Sequence, residues 1–262
     1  MKMDYRDRMN VWNETLRICA SSRFGPPTPS FKVTATDLPP SVPSGLPLVV
    51  VENIDSIDAG RAMLREGVVN RPLVLVMADH RFAGGDVGSG SGAQEESIFR
   101  RTTLSTTLLQ CDFYPIRDTE VVMSPSVTVF RDTEANGCRL LPLDDVFRLD
   151  FVACPGLHNP ALLPDQSLTP SDDLILRTKI RAILHAATRC GNDGLVLGAM
   201  GCGAWRSPPA HVASIMKDEL SKASGLKRIT IACLEVDPKS YIVRDWARKS
   251  SNFEVFSSVF GR

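Results

Sequence analysis

Residues 73–96 read Leu73-Val74-Leu75-Val76-Met77-Ala78-Asp79-His80-Arg81-Phe82-Ala83-Gly84-Gly85-Asp86-Val87-Gly88-Ser89-Gly90-Ser91-Gly92-Ala93-Gln94-Glu95-Glu96. The opening run is apolar without alternation, which predicts a strand covered on both faces. Five glycines in the nine residues 84–92 leave the backbone free to take positive φ and to approach a neighbour closely. Two acidic side chains then open a helix, where the helix dipole favours them. A strand, a glycine loop and a helix in this order form one α/β unit. Further apolar runs at 46–51, 127–130, 151–153, 195–197 and 229–234 extend the sheet. Helical spacing recurs at 95–109 (Ile98, Phe99, Leu104, Leu108), at 171–187 (Leu174, Ile175, Ile183, Leu184) and at 208–220 (Val212, Ile215, Met216). Strands alternating with helices of that length predict a three-layer α/β/α sandwich.

The chain around this unit has 262 residues, 43% of them hydrophobic and 23% charged, with 30 basic against 30 acidic side chains. That composition excludes a disordered, collagen-like or coiled-coil chain. Zero net charge removes the long-range field that would draw the protein to nucleic acid or an acidic membrane. No apolar stretch approaches the roughly 18 residues of a membrane span. Ahead of the sheet, Met9, Trp12, Leu16 and Ala20 share one helical face, which predicts a docking helix over 4–20. Residues 25–47 hold seven of the 18 prolines and read as a linker or wrapping arm. The expected division is an accessory helix and Pro-rich arm over 1–45 and a ligand-binding domain over 46–262. Seven cysteines without a C-x-x-C pair, and an N-terminus lacking an apolar h-region, point to a reducing intracellular compartment.

The glycine loop lacks the Gly-Lys-Ser/Thr of a phosphate-binding P-loop and the G-x-S-x-G of a nucleophile elbow. A second glycine loop, Leu197-Gly198-Ala199-Met200-Gly201-Cys202-Gly203-Ala204-Trp205, follows a predicted strand and precedes a helix. Its backbone N–H groups could face a diphosphate without any lysine. The four histidines show no metal-ligand spacing. His80 and His158 fall on loops expected to rim a cleft, with Asn159 beside the second. Arg100 and Arg101 follow the glutamates at a spacing that suggests pairing along the helix.

Gly84-Gly85-Asp86, seven intervening residues and Gln94-Glu95-Glu96 resemble the signature of the microbial-type poly(ADP-ribose) glycohydrolases, three glycines followed by Gln-Glu-Glu. Val127-Thr128-Val129-Phe130-Arg131-Asp132 and the second glycine loop resemble further family segments in the same order, and Glu14-Thr15-Leu16 fits its accessory N-terminal region. The resemblance implies a macrodomain-like fold with a mixed central sheet that binds ADP-ribose and cleaves the ribose–ribose O-glycosidic bond of the polymer. It implies Glu96 as catalytic acid and base, with Glu95 contacting the terminal ribose. The expected ligand contacts are Gly84, Gly85, Asp86, Val87, Gln94, Gly198, Gly201, Cys202, Gly203, Ala204 and Trp205, the last in the place of the family's ligand-packing aromatic. One carboxyl doing both proton transfers needs its pKa raised toward neutrality. No metal or cofactor is implied, and the expected partners are poly(ADP-ribose) or ADP-ribosylated macromolecules, with ADP-ribose as product, no membrane and a monomeric chain. The pattern is broken where Asp86 replaces the third glycine, Val87 a Phe, and Val76 and Phe82 two asparagines. These departures admit two alternatives, an impaired ADP-ribose reader and a hydrolase of ADP-ribose on an acceptor such as a nucleobase.

Overall fold

The computed structural model describes residues 3–21, 23–34, 45–235 and 250–261. The elements run α1 Tyr5–Ala20, β1 Phe31–Thr34, β2 Leu48–Glu52, α2 Ser56–Glu66, β3 Pro72–Met77, α3 Gln94–Arg101, α4 Ser105–Leu108, β4 Glu120–Val129, β5 Phe147–Cys154, α5 Pro170–Arg189, β6 Gly194–Leu197, α6 Pro209–Leu220, β7 Arg228–Ala232 and α7 Asn252–Phe260. Seven strands form one mixed sheet in the order β1-β4-β5-β3-β6-β7-β2. The five from β5 to β2 are parallel, and β4 and β1 continue the sheet antiparallel.

Alternation along the strands divides the core into two layers. Leu73, Leu75, Val152, Leu195 and Ile229 pack on one face against α5, α6 and Phe256 of α7. Val74, Val76, Phe151 and Val196 pack on the other against Trp12 of α1, Ile57 and Met63 of α2, and Ile98 and Phe99 of α3. The result is the three-layer sandwich expected from the apolar runs, with the carboxyl ends of β3, β5 and β6 sharing one edge. That edge is where open parallel sheets place ligands.

Several elements differ from the sequence expectation. The helix expected over 95–109 breaks at Thr102, whose hydroxyl donates to Ile98 O at 2.9 Å while its extended backbone bridges to Val129. β4 begins seven residues earlier than the apolar run 127–130, continuing through a bulge at Pro125 and Ser126, where Ser126 takes φ 55°. Part of the expected arm, Phe31–Thr34, is an edge strand on β4, while 35–44 lies outside the described residues. The docking face of α1 is rotated: Trp12 and Thr15 are buried, whereas Leu16 and Ala20 are exposed. A polar contact sets that rotation, since the Thr15 hydroxyl donates to Arg100 O at 2.6 Å and accepts from Arg131 Nε at 3.1 Å. Among the described residues no helix is long and apolar enough to cross a membrane.

Opposite the site, Glu219 of α6 fastens α5. Its carboxylate is 2% exposed and accepts from Arg177, Arg181 and Lys222 at 2.7–3.1 Å. These cations outweigh its desolvation and hold its pKa down to about 2. A depressed carboxylate stabilises the fold above its ordinary pKa and loses that contribution as pH falls through the depressed value. Glu219→Ala is therefore expected to cost about 2–3 kcal/mol at pH 7, with the gap to wild type narrowing toward pH 2. Urea unfolding at both pH values measures it; an equal gap at both would remove the ion cluster as the cause.

Candidate active site

Gln94 fixes where α3 begins. Its side-chain oxygen accepts from Met77 N at 2.9 Å, and its amide donates to Leu75 O at 2.6 Å and to Ser56 Oγ at 3.1 Å. The first turn of α3 is thus bound to the end of β3 and the start of α2. No side chain caps this helix. The two glutamates of its first turn instead fold back onto the preceding loop.

Glu95 is 3% exposed, and both of its oxygens are occupied: Oε1 accepts from Gly84 N at 2.9 Å and Oε2 from Asp79 N at 2.6 Å. Glu96, 6% exposed, accepts from Asp86 N through Oε1 at 3.1 Å, while its buried Oε2 has no partner among the described residues. Burial carries the Glu95 carboxyl up to about 8, with the charges of Glu96 and Asp79 adding to the rise and the two N–H donors opposing it.

A raised carboxyl also sets a pH signature. Between 4.5 and about 8 the folded protein holds a proton on Glu95 that the unfolded chain has released. Stability contributed by this group therefore falls as pH rises through that window, by at most about 1.4 kcal/mol per pH unit. Glu95→Gln is expected to remove the slope, so the variant gains on wild type from pH 5 to 8. Urea midpoints across that range test it, and parallel curves would contradict it.

The glycines have separate reasons. A Cβ on Gly84 (φ 81°) would lie 2.8 Å from the Phe99 ring, and one on Gly85 (φ 52°) 2.7 Å from Glu96 Oε1 and 3.1 Å from Glu95 Oε2. Gly90 and Gly92 face α1, where a Cβ would meet Tyr5 O at 2.2 Å and the Arg8 guanidinium at 2.5 Å. The N–H groups of Gly85 and Val87 donate to Phe82 O and Gly84 O. With those of Gly84 and Asp86 on the glutamates, the backbone donors of 84–87 are all engaged within the protein. Val87 is buried and Asp86 is exposed. The loop expected to wrap a ligand wraps the two carboxylates and the underside of α1.

Arg100 and Arg101 do not pair with the glutamates. Both are buried, Arg100 bonding Glu134 and Ser91 O, Arg101 bonding Asp55 at 2.8 Å and Asp58 at 3.5 Å. Their guanidiniums point away from the carboxylates and tie α3 to α2 and to the 134–136 turn, leaving Glu96 without a cation along its own helix.

The second glycine loop closes the other side. A Cβ on Gly198 would approach Met77 Sδ to 3.0 Å, and one on Gly201 (φ 70°) would lie 2.6 Å from Ser207 Oγ. A Cβ on Gly156 would sit 2.8 Å from Gly201 N, so the loops after β5 and β6 pack backbone to backbone. Cys202 is buried and its N–H donates to Ala199 O at 3.0 Å. Gly203 and Ala204 are exposed. Their N–H groups, and that of the half-buried Trp205, have no acceptor among the described residues. Trp205 lies edge-on to His158 and His80, at 5.3 and 6.3 Å between ring centroids, and the two imidazoles are 6.0 Å apart. Three rings thus join the loops after β3, β5 and β6. Tyr114, which the sequence reading passed over, has its buried hydroxyl without a partner; its segment joins the first loop through Ile116 N to His80 O at 3.0 Å. Only the aromatic pair Phe113-Tyr114 ahead of Pro115 could have signalled it. Among the described residues no three His, Cys, Asp or Glu side chains are grouped to hold a metal ion.

Residues 7–132 match the family model of the microbial-type poly(ADP-ribose) glycohydrolase catalytic domain, a span that contains the paired glutamates and ends before the second glycine loop. No curated protein matches the chain. Among solved structures, the poly(ADP-ribose) glycohydrolase of Thermomonospora curvata superposes with a TM-score of 0.77 at 22% identity, over 97% of this chain and all of that one. The same enzyme bound to the inhibitor ADP-HPD gives 0.71 at 23%, over 97% and 99%. The Deinococcus radiodurans poly(ADP-ribose) glycohydrolase in complex with ADP-ribose gives 0.71 at 25%, over 92% of this chain and 96% of that one. Residues 7–132 are thus similar in sequence to the microbial-type poly(ADP-ribose) glycohydrolase catalytic domain, and nearly the whole chain shares the fold of bacterial poly(ADP-ribose) glycohydrolases.

Proposed function

We propose that the protein hydrolyses the ribose–ribose O-glycosidic bonds of poly(ADP-ribose) and releases ADP-ribose. The observation that carries this reading is the asymmetry of the glutamate pair: Glu95 has both oxygens held by backbone N–H groups, whereas Glu96 has one held and one free. A carboxyl anchored through one oxygen keeps its position while the other exchanges a proton. Protonated at Oε2, Glu96 donates to the leaving ribose oxygen as the glycosidic bond breaks and positive charge develops at the anomeric carbon. The resulting carboxylate then takes a proton from the attacking water, which restores the acid.

The other residues divide between positioning and binding. Glu95, with Gly84, Gly85, Asp86, Val87 and Gln94, holds the pair against β3 and frames the space beside the reacting ribose. The open N–H groups of Gly203, Ala204 and Trp205 suit a diphosphate, because they are three successive donors without acceptors among the described residues; Gly198, Gly201 and Cys202 shape that turn. Residues 1–45 serve as an accessory region braced on the catalytic domain over 46–262, as the contacts of Thr15 with Arg100 and Arg131 suggest. The seven free cysteines suit an intracellular location.

The test is incubation with automodified, poly(ADP-ribosyl)ated substrate and measurement of released ADP-ribose. Release is expected. Binding of ADP-ribose by calorimetry without release from any ADP-ribosylated substrate would replace the hydrolase with a binding domain.

A further inference from the structure

Buried polar atoms are nearly always hydrogen-bonded, so those left open ask for an explanation. Three occur at the carboxyl end of β3: Glu96 Oε2, His80 Nδ1 and the Tyr114 hydroxyl. Their surroundings connect. Asp79 N bonds Glu95, His80 follows Asp79, and His80 O receives the N–H of Ile116, two residues beyond Tyr114. The roles of these atoms follow from their partners. Arg81 Nε donates to His80 Nε2 at 3.1 Å, which puts the ring proton on Nδ1 and makes that atom a donor without an acceptor. Burial, with the charges of Glu95 and Asp79, raises the Tyr114 phenol and keeps it protonated. Glu96 Oε2 is the acceptor when ionised.

Two open donors and one open acceptor, on segments joined through the Asp79–Glu95 and Ile116–His80 bonds, call for a group that both accepts and donates. A phosphate oxygen only accepts, and next to the carboxylates of Glu96 and Asp79 its charge is repelled. A neutral hydroxyl meets both demands. Resting on the proposed function, we infer that His80 and Tyr114 bind the hydroxyls of the distal ribose of a terminal ADP-ribosyl unit and present that sugar to Glu96. They supply the polar contacts absent at Val76 and Phe82, where apolar side chains stand.

Tyr114→Phe and His80→Phe keep the rings and remove the polar atoms. The Tyr114 hydroxyl has no partner among the described residues, so Tyr114→Phe is not expected to lower Tm, and His80→Phe, which also gives up the exposed Arg81 Nε contact, is expected to change it little. Each is expected to weaken ADP-ribose binding about fivefold by calorimetry, in the range of one lost neutral hydrogen bond. ADP-ribose lacking the 2″-hydroxyl of the distal ribose and its 3″-deoxy counterpart complete a cycle. At least one analogue should bind wild type correspondingly less well and show no further loss with Tyr114→Phe or His80→Phe. Wild-type affinity in both variants, or losses that add with both analogues, would overturn the assignment while leaving the glycohydrolase reading in place. A wild type that neither binds ADP-ribose nor releases it would overturn both.

Discussion

Glu96→Gln is expected to lower kcat for ADP-ribose release by about 10²–10⁴-fold, the contribution of one positioned acid and base, while ADP-ribose binding changes little. The substitution is nearly isosteric. Gln keeps an oxygen that accepts from Asp86 N, so the loop conformation that Glu96 Oε1 stabilises at 3.1 Å survives. What disappears is the capacity to give and take a proton at the free Oε2 position. Glu95→Gln differs in kind. Both Glu95 oxygens accept from backbone N–H groups, at 2.6 and 2.9 Å, and an amide places its NH₂ against one of them. Two donors then face each other, the loop shifts, and kcat and KM are expected to change together. Undiminished turnover by Glu96→Gln would take Glu96 out of the chemistry, and a loss confined to KM would make it a binding group.

Much of this site was legible in the sequence because its elements are local. Residues 73–96 carry a strand, a glycine loop and a helix start in one continuous stretch, and the structure places Glu95 and Glu96 at that helix start. The apolar runs at 151–153 and 195–197 sit inside β5 and β6, and the run at 229–234 covers β7 from 229 to its end at Ala232, since strands buried on both faces need no partner information to be recognised. Missed elements had weaker local signals. α2 and α7 are marked mainly by their ends, an Asp55 cap with a left-handed Gly67 and a Ser251 and Glu254 capping box, rather than by an apolar run. β4 extends well ahead of the apolar run 127–130 because a bulge carries the strand past Pro125, a residue that sheets admit at bulges.

The unread part of the site depends on contacts distant in sequence. Nothing near Arg100 shows that it bonds Glu134, or near Thr15 that it will take Arg100 O and turn α1 away from Leu16. The glycine loop shows the limit most clearly. Its composition indicates close approach without naming what approaches: a phenyl ring at Gly84, two carboxylates at Gly85, the backbone of α1 at Gly90 and the Arg8 guanidinium at Gly92. A run of glycines that suggests one ligand cradle therefore answers four separate packing demands.

Gly85→Ala isolates the demand set by the two carboxylates. At φ 52° an alanine is held in the left-handed region, costing about 1–2 kcal/mol. Its methyl would also lie 2.7 Å from Glu96 Oε1 and 3.1 Å from Glu95 Oε2. Those oxygens end side chains that can turn, so the clash is relieved by moving the carboxylates rather than by unfolding the loop. The expected result is a modest fall in stability with a large fall in kcat, on the order of 10²-fold, as for a misplacement of about 1 Å at a reacting centre. Gly88→Ala, in the same loop with nothing within 4 Å of its Cβ position, controls for loop stiffening and is expected to keep full activity. Thermal unfolding and ADP-ribose release from polymer, measured on both variants, separate the two effects. If Gly85→Ala retains wild-type turnover, the carboxylates tolerate displacement, and the backbone grip on Glu96 is not what positions the acid.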